Sequence, residues 1–443
     1  MSKTNPLKRI VEKQKAGIPV AVYSACSANE YVIQAVIERA KATDSVALIE
    51  ATANQCDQFG GYTGMTPKDF KAYVDQIASS CGLASDRVFL GGDHLGPLTW
   101  THLPEAEAMA NAEELIRHYV GAGFTKIHID TSMKVADDDP NVRLSDEIIA
   151  ARGARLAKVA NDTYQAYLKE NPEAIAPVYI VGSEVPIPGG AQGAVADEGV
   201  QVTKVDDFKT TVKAFEEAFA KEGLQEVWKD VIGVVVQPGV EEKDAGCTEY
   251  DRSKAVELMA AIKDYPNLVF EGHSTDYQTK YKLRELVEDG VGVLKVGPGL
   301  TFAMREALFA LSHIEEEALH GTDIKPSHFI DVLEEAMLAK PDKWAKYYTG
   351  DENQLRIKRK YSFSDRCRYY MPNEAVQNAK NKLIANLKQV GVPLNLLSQF
   401  MPIQYTKVRE GFLNNDPESL IKDRIVNTID EYLYASHQDE LVK

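Results

Sequence analysis

The run VFLGGDH at residues 88–94 indicates the fold most clearly, because it joins the pattern of a buried strand to a chemically reactive end. Its first residues are apolar, as in a strand that is buried on both faces. Its two glycines let the backbone pass close to a ligand. It ends in Asp93 and His94, adjacent ionisable side chains that can serve different roles. The run predicts a buried strand with reactive side chains at its carboxyl end.

The same pattern recurs along the chain. Each run is short and apolar and ends in polar or ionisable residues, and most runs are separated by enough residues for a helix. The other runs are VAVYSA (20–25), VALIEAT (46–52), KIHIDTS (126–132), VYIVGSE (178–184), VIGVVVQP (231–238), VFEGH (269–273) and VLKVGP (293–298). Eight such units predict a (β/α)8 TIM barrel, which places its active site at the carboxyl ends of the strands.

The chain is longer than one barrel requires. It has 443 residues, whereas a TIM barrel typically takes about 250 residues. The alternation of strands and helices ends near residue 315, and helical patterns with an Arg-, Lys- and Tyr-rich segment at residues 346–372 follow it. We therefore predict a barrel domain at residues 1–315 and a helical extension at residues 316–443 that packs on it. We expect the extension either to mediate oligomerisation or to cover the active site.

Charge and composition exclude several classes of partner. The net charge of −16 argues against nucleic acid and anionic membranes, which need clustered basic surface. A small phosphorylated substrate needs only a local cationic pocket. The five cysteines are scattered and form no CxxC pair, so neither a disulfide framework nor structural zinc is expected. No apolar stretch is long enough for a membrane span or a signal sequence, and we expect a soluble, cytoplasmic protein.

Motifs of other enzyme classes are missing from the sequence. There is no GxxxxGK[ST] phosphate loop, no GxGxxG after the first strand and no GxSxG nucleophile motif. The residues therefore offer no support for a kinase, a dehydrogenase or a serine hydrolase of these types.

The predicted strand ends supply a ring of polar side chains. Its members are Glu50, Asp93, His94, His128, Asp130, Glu184, Gln237, Glu271, His273 and Lys295. A scaffold protein has no need for such a ring, whereas a metal-assisted or acid–base enzyme does.

Two segments carry the best metal-ligand candidates. In GGDHLGP (91–97), one of Asp93 and His94 can bind a metal while the other moves a proton, and the alternative is a structural polar pair. In EGHSTD (271–276), His273 offers an imidazole for a borderline divalent metal, unless it is a core or surface histidine. The side chains that follow it are candidates for binding a phosphate or a substrate hydroxyl: Ser274, Thr275 and Asp276.

Four more strand residues allow alternative roles. Glu184 is a third metal ligand, a general base, a carboxylate that orients a histidine, or half of a rim salt bridge. His128 and Asp130 share a strand face and point inward, either as parts of the active site or as a buried structural pair. Lys295 balances neighbouring carboxylates or, as the less expected alternative, forms a Schiff base.

Further candidates for substrate binding lie outside these motifs. Glu50, Asn54 and Gln55 follow the second strand, where they can bind sugar hydroxyls or remain solvated. Arg366 and Arg368 in the extension can give a substrate phosphate bidentate donors, although exposed arginines are common in helical segments.

Taken together, these segments resemble the GatZ/KbaZ family along nearly the whole chain, including the extension. The resemblance rests on QFGGYTGMTP (58–67), GGDHLGP (91–97), VVQPGVE (235–241), HSTDYQT (273–279) and YSFSDRCRYYMP (361–372), among others. Members of the family have been named as tagatose-bisphosphate aldolase subunits and, earlier, as tagatose 6-phosphate kinases. The family in turn resembles the class II, metal-dependent fructose-bisphosphate aldolases.

The resemblance implies a metal site. It assigns Asp93 as the catalytic acid–base and His94 and His273 as ligands of a divalent metal. The third aldolase histidine has no obvious counterpart, and Gln237 or Glu241 stands in its place.

Two carboxylates complete the catalytic candidates. Glu184 is the preferred third ligand and, with Asp130, a further acid–base candidate. Zn²⁺ is the first choice of metal, with Mg²⁺ or Mn²⁺ as alternatives.

The resemblance also implies a reaction, the interconversion of D-tagatose 6-phosphate and D-fructose 6-phosphate at C4. Asp93 would take the proton of the C4 hydroxyl, the C3–C4 bond would break, and the aldehyde would rotate before it adds back through its other face. The main alternative is a non-catalytic subunit that stabilises a separate aldolase chain, and aldol cleavage of tagatose 1,6-bisphosphate is another. The expected partners are a small phosphorylated ketohexose, an aldolase chain under the subunit reading, and further copies of this chain.

Overall fold

The computed structural model describes residues 3–184 and 200–443. Eight parallel strands close into a barrel in the order β1-β10-β9-β6-β5-β4-β3-β2. They are β1 (Val22–Cys26), β2 (Ala47–Thr52), β3 (Val88–Leu95), β4 (Lys126–Ile129), β5 (Val178–Val181), β6 (Val231–Val236), β9 (Val269–Gly272) and β10 (Val291–Val296). Two further strands, β7 (Glu241–Lys243) and β8 (Gly246–Thr248), pair as an antiparallel hairpin. The predicted (β/α)8 barrel is confirmed, and every barrel strand falls on one of the eight runs.

Helices surround the barrel and continue to the end of the chain. Those up to the last barrel strand are α1 (Lys8–Lys15), α2 (Glu30–Ala42), α3 (Pro67–Cys81), α4 (Glu105–Gly121), α5 (Asp146–Glu170), α6 (Val205–Lys221), α7 (Gln225–Trp228), α8 (Arg252–Ala261) and α9 (Lys280–Asp289). Those after it are α10 (Pro298–Leu319), α11 (Phe329–Ala339), α12 (Glu352–Tyr361), α13 (Glu374–Val390), α14 (Leu394–Phe400), α15 (Pro402–Arg409) and α16 (Pro417–Ser436). No helix in the described ranges is both long and apolar enough to cross a membrane.

Local sequence explains where these helices begin and end, as α3 illustrates. Thr66 caps its first turn and exchanges hydrogen bonds with Asp69, while Pro67 occupies the first helical position. The helix ends at Gly82, whose positive φ of 71° suits glycine.

The two ends of the barrel interior differ in chemistry. Its amino-terminal end is filled by apolar side chains, among them Val22, Leu48, Phe89, Val178, Ile180, Ile232, Val269 and Val293. Leu7 and Ile10, at the start of α1, pack into the same cluster and close that end. The carboxyl end holds the charged and polar side chains. Because all eight strands are parallel, these side chains meet at one mouth.

The helix α16 belongs to the wall of the barrel. It packs against α2, α9, α10 and β1, and the ring of Tyr432 lies 5.8 Å from that of Tyr23. The backbone N–H of Ala21 donates to the carbonyl of Ser436 at 2.8 Å. The division of the chain near residue 315 therefore remains a proposal about sequence organisation, since the last helix shares its core with the barrel.

The sequence has three long segments after the second, fourth and fifth strand runs, which are predicted to form loops at the mouth of the barrel, and two of them are described. Residues 55–67 and 133–146 lie within the described ranges, whereas the loop VPIPGGAQGAVADEG (185–199) lies outside them.

Candidate active site

A cavity of about 370 Å³ opens at the carboxyl end of the barrel. The barrel contributes Asp93, His94, His273 and Lys295 to its lining. Side chains of the extension line the same space: Asp342, Lys343, Lys346, Tyr347, Arg366, Arg368 and Tyr369. The arginine-rich extension therefore reaches the mouth of its own barrel.

Three histidines from three strand ends meet at this mouth. The ring centroids of His94 and His128 are 5.1 Å apart. The ring of His273 lies 5.2 Å from each of the other two. All three side chains are buried. Such a triangle of imidazoles is a common donor set for a divalent transition metal.

Each of these histidines is oriented by a carboxylate. The contacts, all 2.8 Å long, are His94 Nδ1 to Asp130 Oδ2, His128 Nδ1 to Asp93 Oδ1, and His273 Nε2 to Glu271 Oε1. A carboxylate that holds one ring nitrogen fixes the tautomer and leaves the other nitrogen as a lone-pair donor, the usual support of a metal-binding histidine.

The free nitrogen of His128 has no partner in the described part of the chain. His128 Nε2 is buried and makes no hydrogen bond there, although buried polar atoms almost always have one. The backbone N–H of His94 donates to His128 Nδ1 at 3.1 Å, and Asp93 Oδ1 lies 2.8 Å from the same nitrogen. Because Nδ1 is engaged by both groups, Nε2 is the nitrogen left to bind a metal.

Donor distances and charge also fit a cation. Ligand atoms of Asp93, His128, Glu271 and His273 lie within 4.8 Å of one another. The buried ionic cluster has four carboxylates and two lysines: Glu50, Asp93, Asp130, Glu271, Lys126 and Lys295. With the histidines neutral, the cluster has a net charge of two negative charges, which a divalent cation would neutralise. This buried group could therefore hold a metal ion.

Ion pairs hold the two lysines in place. Lys126 lies 2.6 Å from Glu50 and 2.7 Å from Glu271. Lys295 pairs with Glu50 and lies 2.9 Å from Asp93. Burial disfavours the charge on Lys295, but Asp93 and Glu50 raise its pKa well above the ordinary value. A permanently protonated amine cannot attack a carbonyl, so this geometry favours charge balance over a Schiff base.

The pKa values of the neighbouring groups assign their charges. Burial opposes ionisation of Asp93, yet Lys295 and His94 hold its pKa well below the ordinary value. Burial lowers the pKa of His273 to about 4, so this ring is neutral near neutral pH. Burial opposes the charge on His94, but Asp93 and Asp130 raise its pKa. The site therefore combines an ionised carboxylate with a neutral imidazole.

Two residues of the cavity lining have strained backbones. His94 and Ser274 adopt positive φ angles of 51° and 52°, although neither is glycine. Such conformations cost free energy and concentrate where side chains must be aimed at a ligand. At the end of β3, the conformation points consecutive side chains, Asp93 and His94, into one cavity.

Most of the sequence-predicted site residues line this cavity. They are Asn54, Gln55, Asp93, His94, His273, Ser274, Asp276, Lys295, Arg366 and Arg368. The other candidates do not reach the lining, namely Glu50, His128, Asp130, Glu184, Gln237, Glu241, Glu271 and Thr275.

Glu50 and Asp130 are fully buried behind the cavity lining. Glu50 neutralises two lysines, so it has no free oxygen for a sugar hydroxyl. Asp130 orients His94 and accepts further hydrogen bonds from Ser132.

Thr275 and Glu184 are engaged elsewhere. Thr275 is buried and donates from its hydroxyl to the carbonyl of Lys295 at 2.6 Å. Glu184 accepts a hydrogen bond of 2.6 Å from Thr203 and lies 3.8 Å from Arg143. The structure thus gives Glu184 the geometry of a rim salt bridge and does not bring it together with the histidines.

Sequence reasoning missed several residues of the site. Lys126 was not singled out, although it stands in phase with His128 and Asp130 on β4, and that alternation was the available signal. Glu242 and Lys343 carry no local signal, because only tertiary contacts bring them to the mouth. Tyr347 and Tyr369 lie in the Tyr-rich segment whose composition was the available signal.

The extension supplies a cationic wall stacked on tyrosines. The guanidinium of Arg366 lies 3.3 Å from the ring centre of Tyr347, and that of Arg368 lies 4.4 Å from the ring centre of Tyr369. Arg368 also donates to the Tyr369 hydroxyl at 2.9 Å. Stacked guanidinium groups are preorganised for binding an anion.

The fold and the site define a (β/α)8-barrel protein with a carboxylate-supported histidine cluster, fit for a metal ion, at its mouth. Residues 7–437 match the family described as D-tagatose-1,6-bisphosphate aldolase subunit GatZ/KbaZ-like. The chain belongs to this family, which confirms the resemblance found in its motifs.

Solved structures add one strong similarity. The crystal structure of a probable tagatose 6 phosphate kinase from Sinorhizobium meliloti 1021 is 41% identical, with a TM-score of 0.84, over 94% of this chain and 100% of that one. The fructose-bisphosphate aldolase of Campylobacter jejuni is 15% identical, with a TM-score of 0.43, over 88% and 94%. The YdjI aldolase of Escherichia coli K12 is 12% identical, with a TM-score of 0.40, over 88% and 98%. The last two similarities are too weak to support a conclusion about this chain.

Proposed function

We propose that this chain is an enzyme that interconverts D-tagatose 6-phosphate and D-fructose 6-phosphate at C4. The observation that supports it most is the triangle of His94, His128 and His273 beside an ionised Asp93. Membership of the GatZ/KbaZ-like family supports the coarser conclusion that the substrate is a tagatose-related sugar phosphate.

His94, His128 and His273 would hold the metal, with His128 in the place that the sequence assigned to Glu184. Three imidazoles favour Zn²⁺, and Mg²⁺ or Mn²⁺ are the alternatives because carboxylates surround the rings. When bound, the metal supplies Lewis-acid chemistry, polarising the substrate carbonyl and stabilising the negative charge of an enediolate.

Asp93 is the group that moves the proton. Its Oδ1 is held by His128 and Lys295, while its Oδ2 lies 4.0 Å from the Cys26 thiol and 3.8 Å from His94 Nε2. Oδ2 accepts the proton of the C4 hydroxyl, and the oxygen electrons form the C4 carbonyl. The electron pair of the C3–C4 bond moves into the enediolate of the three-carbon fragment.

Re-addition then inverts C4. The aldehyde fragment rotates, the enediolate attacks its other face, and Asp93 returns the proton to the new C4 alkoxide. The cations Lys343, Lys346 and Arg366 line the cavity, where they would hold the 6-phosphate and keep the aldehyde fragment from leaving. Retention of this fragment distinguishes an epimerase from an aldolase.

The first test uses purified protein, D-fructose 6-phosphate and Zn²⁺ or Mg²⁺, with products identified by NMR. Formation of D-tagatose 6-phosphate that stops with EDTA supports the proposal. The variant Asp93→Asn should keep its metal and lose activity by at least about 100-fold. Undiminished turnover in this variant would remove Asp93 from the mechanism.

The family description favours a second candidate, a stabilising subunit of a separate aldolase chain. That role predicts that the purified chain does not epimerise the sugar phosphate. It also predicts that the chain raises the activity or the stability of a tagatose-bisphosphate aldolase to which it is added. Cleavage of tagatose 1,6-bisphosphate by this chain alone would instead release two triose phosphates.

A further inference from the structure

The usual anion position at the start of α10 is occupied by a side chain of this protein. Barrel enzymes often bind phosphate near the loops after their last two strands, because helix amino termini offer free N–H groups. Here the Asp276 carboxylate accepts hydrogen bonds from the N–H groups of Gly297 at 3.0 Å and Gly299 at 2.7 Å. Asp276 is buried and lines the cavity.

A second carboxylate stands in the same part of the lining. Glu242, from β7, is 8% exposed, and its Oε2 has no hydrogen-bond partner in the described part of the chain. Within residues 3–184 and 200–443, neither Glu242 nor Asp276 belongs to an ion pair. Burial and the charge of Glu242 raise the pKa of Asp276 to about 7. The charge of Glu242 therefore opposes ionisation of Asp276, whereas the two N–H groups and Arg368 favour it.

We propose that Glu242 and Asp276 form the subsite for the unphosphorylated end of the sugar, accepting its C1 hydroxyl and excluding a C1 phosphate. This inference rests on the proposed function, because it identifies which end of the ketohexose phosphate lies there. Such a subsite would also make the chain selective for monophosphates over bisphosphates.

A hydrogen bond favours the C1 hydroxyl at this subsite. A hydroxyl is a donor, and Glu242 Oε2 is a buried acceptor without a donor in the protein. Buried polar atoms without a partner cost free energy, so a ligand that supplies the donor binds more tightly.

Electrostatic repulsion disfavours a C1 phosphate at this subsite. A phosphate at this place would have to displace Asp276 from two N–H groups, which would leave a buried carboxylate without partners. It would also stand beside Glu242, with no lysine or arginine paired to either acid in the described ranges. Unfavourable contacts of this kind set specificity as strongly as favourable ones do.

The test compares the binding of D-fructose 6-phosphate and D-fructose 1,6-bisphosphate by calorimetry. We expect the wild type to bind the monophosphate about 100-fold more tightly, as for a site that rejects an unpaired charge. The variant Asp276→Ser frees the helix N–H groups and should reduce this ratio at least about tenfold. The variant Glu242→Gln should weaken binding of the monophosphate about tenfold through loss of a charged acceptor.

A matched control removes a different acid from the lining of the same cavity. Asp342 lies beside Lys343, and Asp342→Asn should leave the ratio unchanged. If Asp276→Ser does not fold, Asp276→Asn replaces it. This variant keeps an acceptor for the two N–H groups but removes the negative charge, so the ratio should still fall.

Two results would overturn the subsite. One is a wild type that binds the bisphosphate as tightly as the monophosphate, and the other is a folded Asp276 variant with the wild-type ratio. Failure of the proposed function is seen separately, as absence of D-tagatose 6-phosphate in the turnover assay.

Discussion

At the scale of single residues, the charges of the buried cluster in this barrel persist because ion pairs surround them. Lys126 is fully buried between Glu50 and Glu271, at distances that satisfy both carboxylates. Removing one member of such a cluster leaves an uncompensated charge, which is far more costly than losing a surface ion pair. His128 differs from these charged groups, because its Nε2 has no partner in the described residues.

The role of His128 leads to a prediction about metal content. The variant His128→Ala should bind the metal at least about tenfold more weakly, since one ligand is lost while the carboxylates remain. The measurement is metal affinity by competition with a chelator, followed by elemental analysis. Glu184→Gln and the exposed His102→Ala are the controls and should bind normally. Normal affinity in His128→Ala together with weak binding in Glu184→Gln would return the third ligand to Glu184.

The raised pKa of Asp276 predicts a pH dependence of stability. Its pKa rises from 3.8 to about 7 in the folded protein, so between these values the folded state binds more protons at this group than the unfolded state. This group therefore lowers stability as the pH rises from about 4 to about 7. The variant Asp276→Asn should gain stability relative to the wild type over that range and no further above it. Urea unfolding at several pH values measures the free energy of unfolding of both proteins. A constant difference between the wild type and Asp276→Asn at all pH values would contradict the prediction.

At the scale of elements, strand alternation and register bring side chains from distant parts of the chain together. Lys126 and His128 share a face of β4, and Asp130 follows in the same phase. The register of β2 and β3 places Glu50 opposite Gly91. A Cβ at Gly91 would lie only 2.5 Å from the Glu50 side chain, so this glycine makes room for a buried carboxylate.

The variant Gly91→Ala tests this element-level constraint. The added methyl group should displace Glu50 from its lysines and destabilise the protein by about 1–3 kcal/mol. Gly246 in β8 has open space around its Cβ position, and Gly246→Ala should change stability little. Urea unfolding of both variants measures the difference. Equal stabilities of the two variants would show that β2 and β3 can move apart without loss of free energy.

At the scale of the whole molecule, the extension serves both the barrel wall and the active site. The helix α16 packs between α2 and α9, and the hydroxyl of Tyr432 donates to the carbonyl of Thr275 at 2.9 Å. Lys343 and Arg366, from the same extension, line the cavity at the mouth. Barrel and extension therefore depend on each other for stability.

This dependence predicts different effects of two neighbouring tyrosines. Tyr432 is 1% exposed and Tyr434 is 47% exposed. The variant Tyr432→Ala should lower the stability of the barrel by about 3–5 kcal/mol, as for a large buried aromatic residue, whereas Tyr434→Ala should have little effect. Thermal unfolding followed by circular dichroism measures both variants. A barrel transition that is unchanged in Tyr432→Ala would mean that the extension is an independent unit.

The fold class and the candidate residues at the strand ends could be predicted from the sequence. Strand periodicity and residue type are local properties, so the eight runs predicted the barrel, and parallel strands have all their carboxyl ends at one mouth. That reasoning led to Asp93, His94 and His273 without any knowledge of distances.

Which of these candidates come together depends on the tertiary structure. His128 joins the other two histidines, while Glu184 pairs with Thr203 at the rim. Asp276 occupies N–H groups that lie more than 20 residues further along the chain, and the extension places its cations over its own barrel. The physical reason is that metal binding and substrate selection depend on distances of a few ångströms between side chains far apart in sequence. Those distances are set by barrel closure, register and helix packing, and no local pattern encodes them.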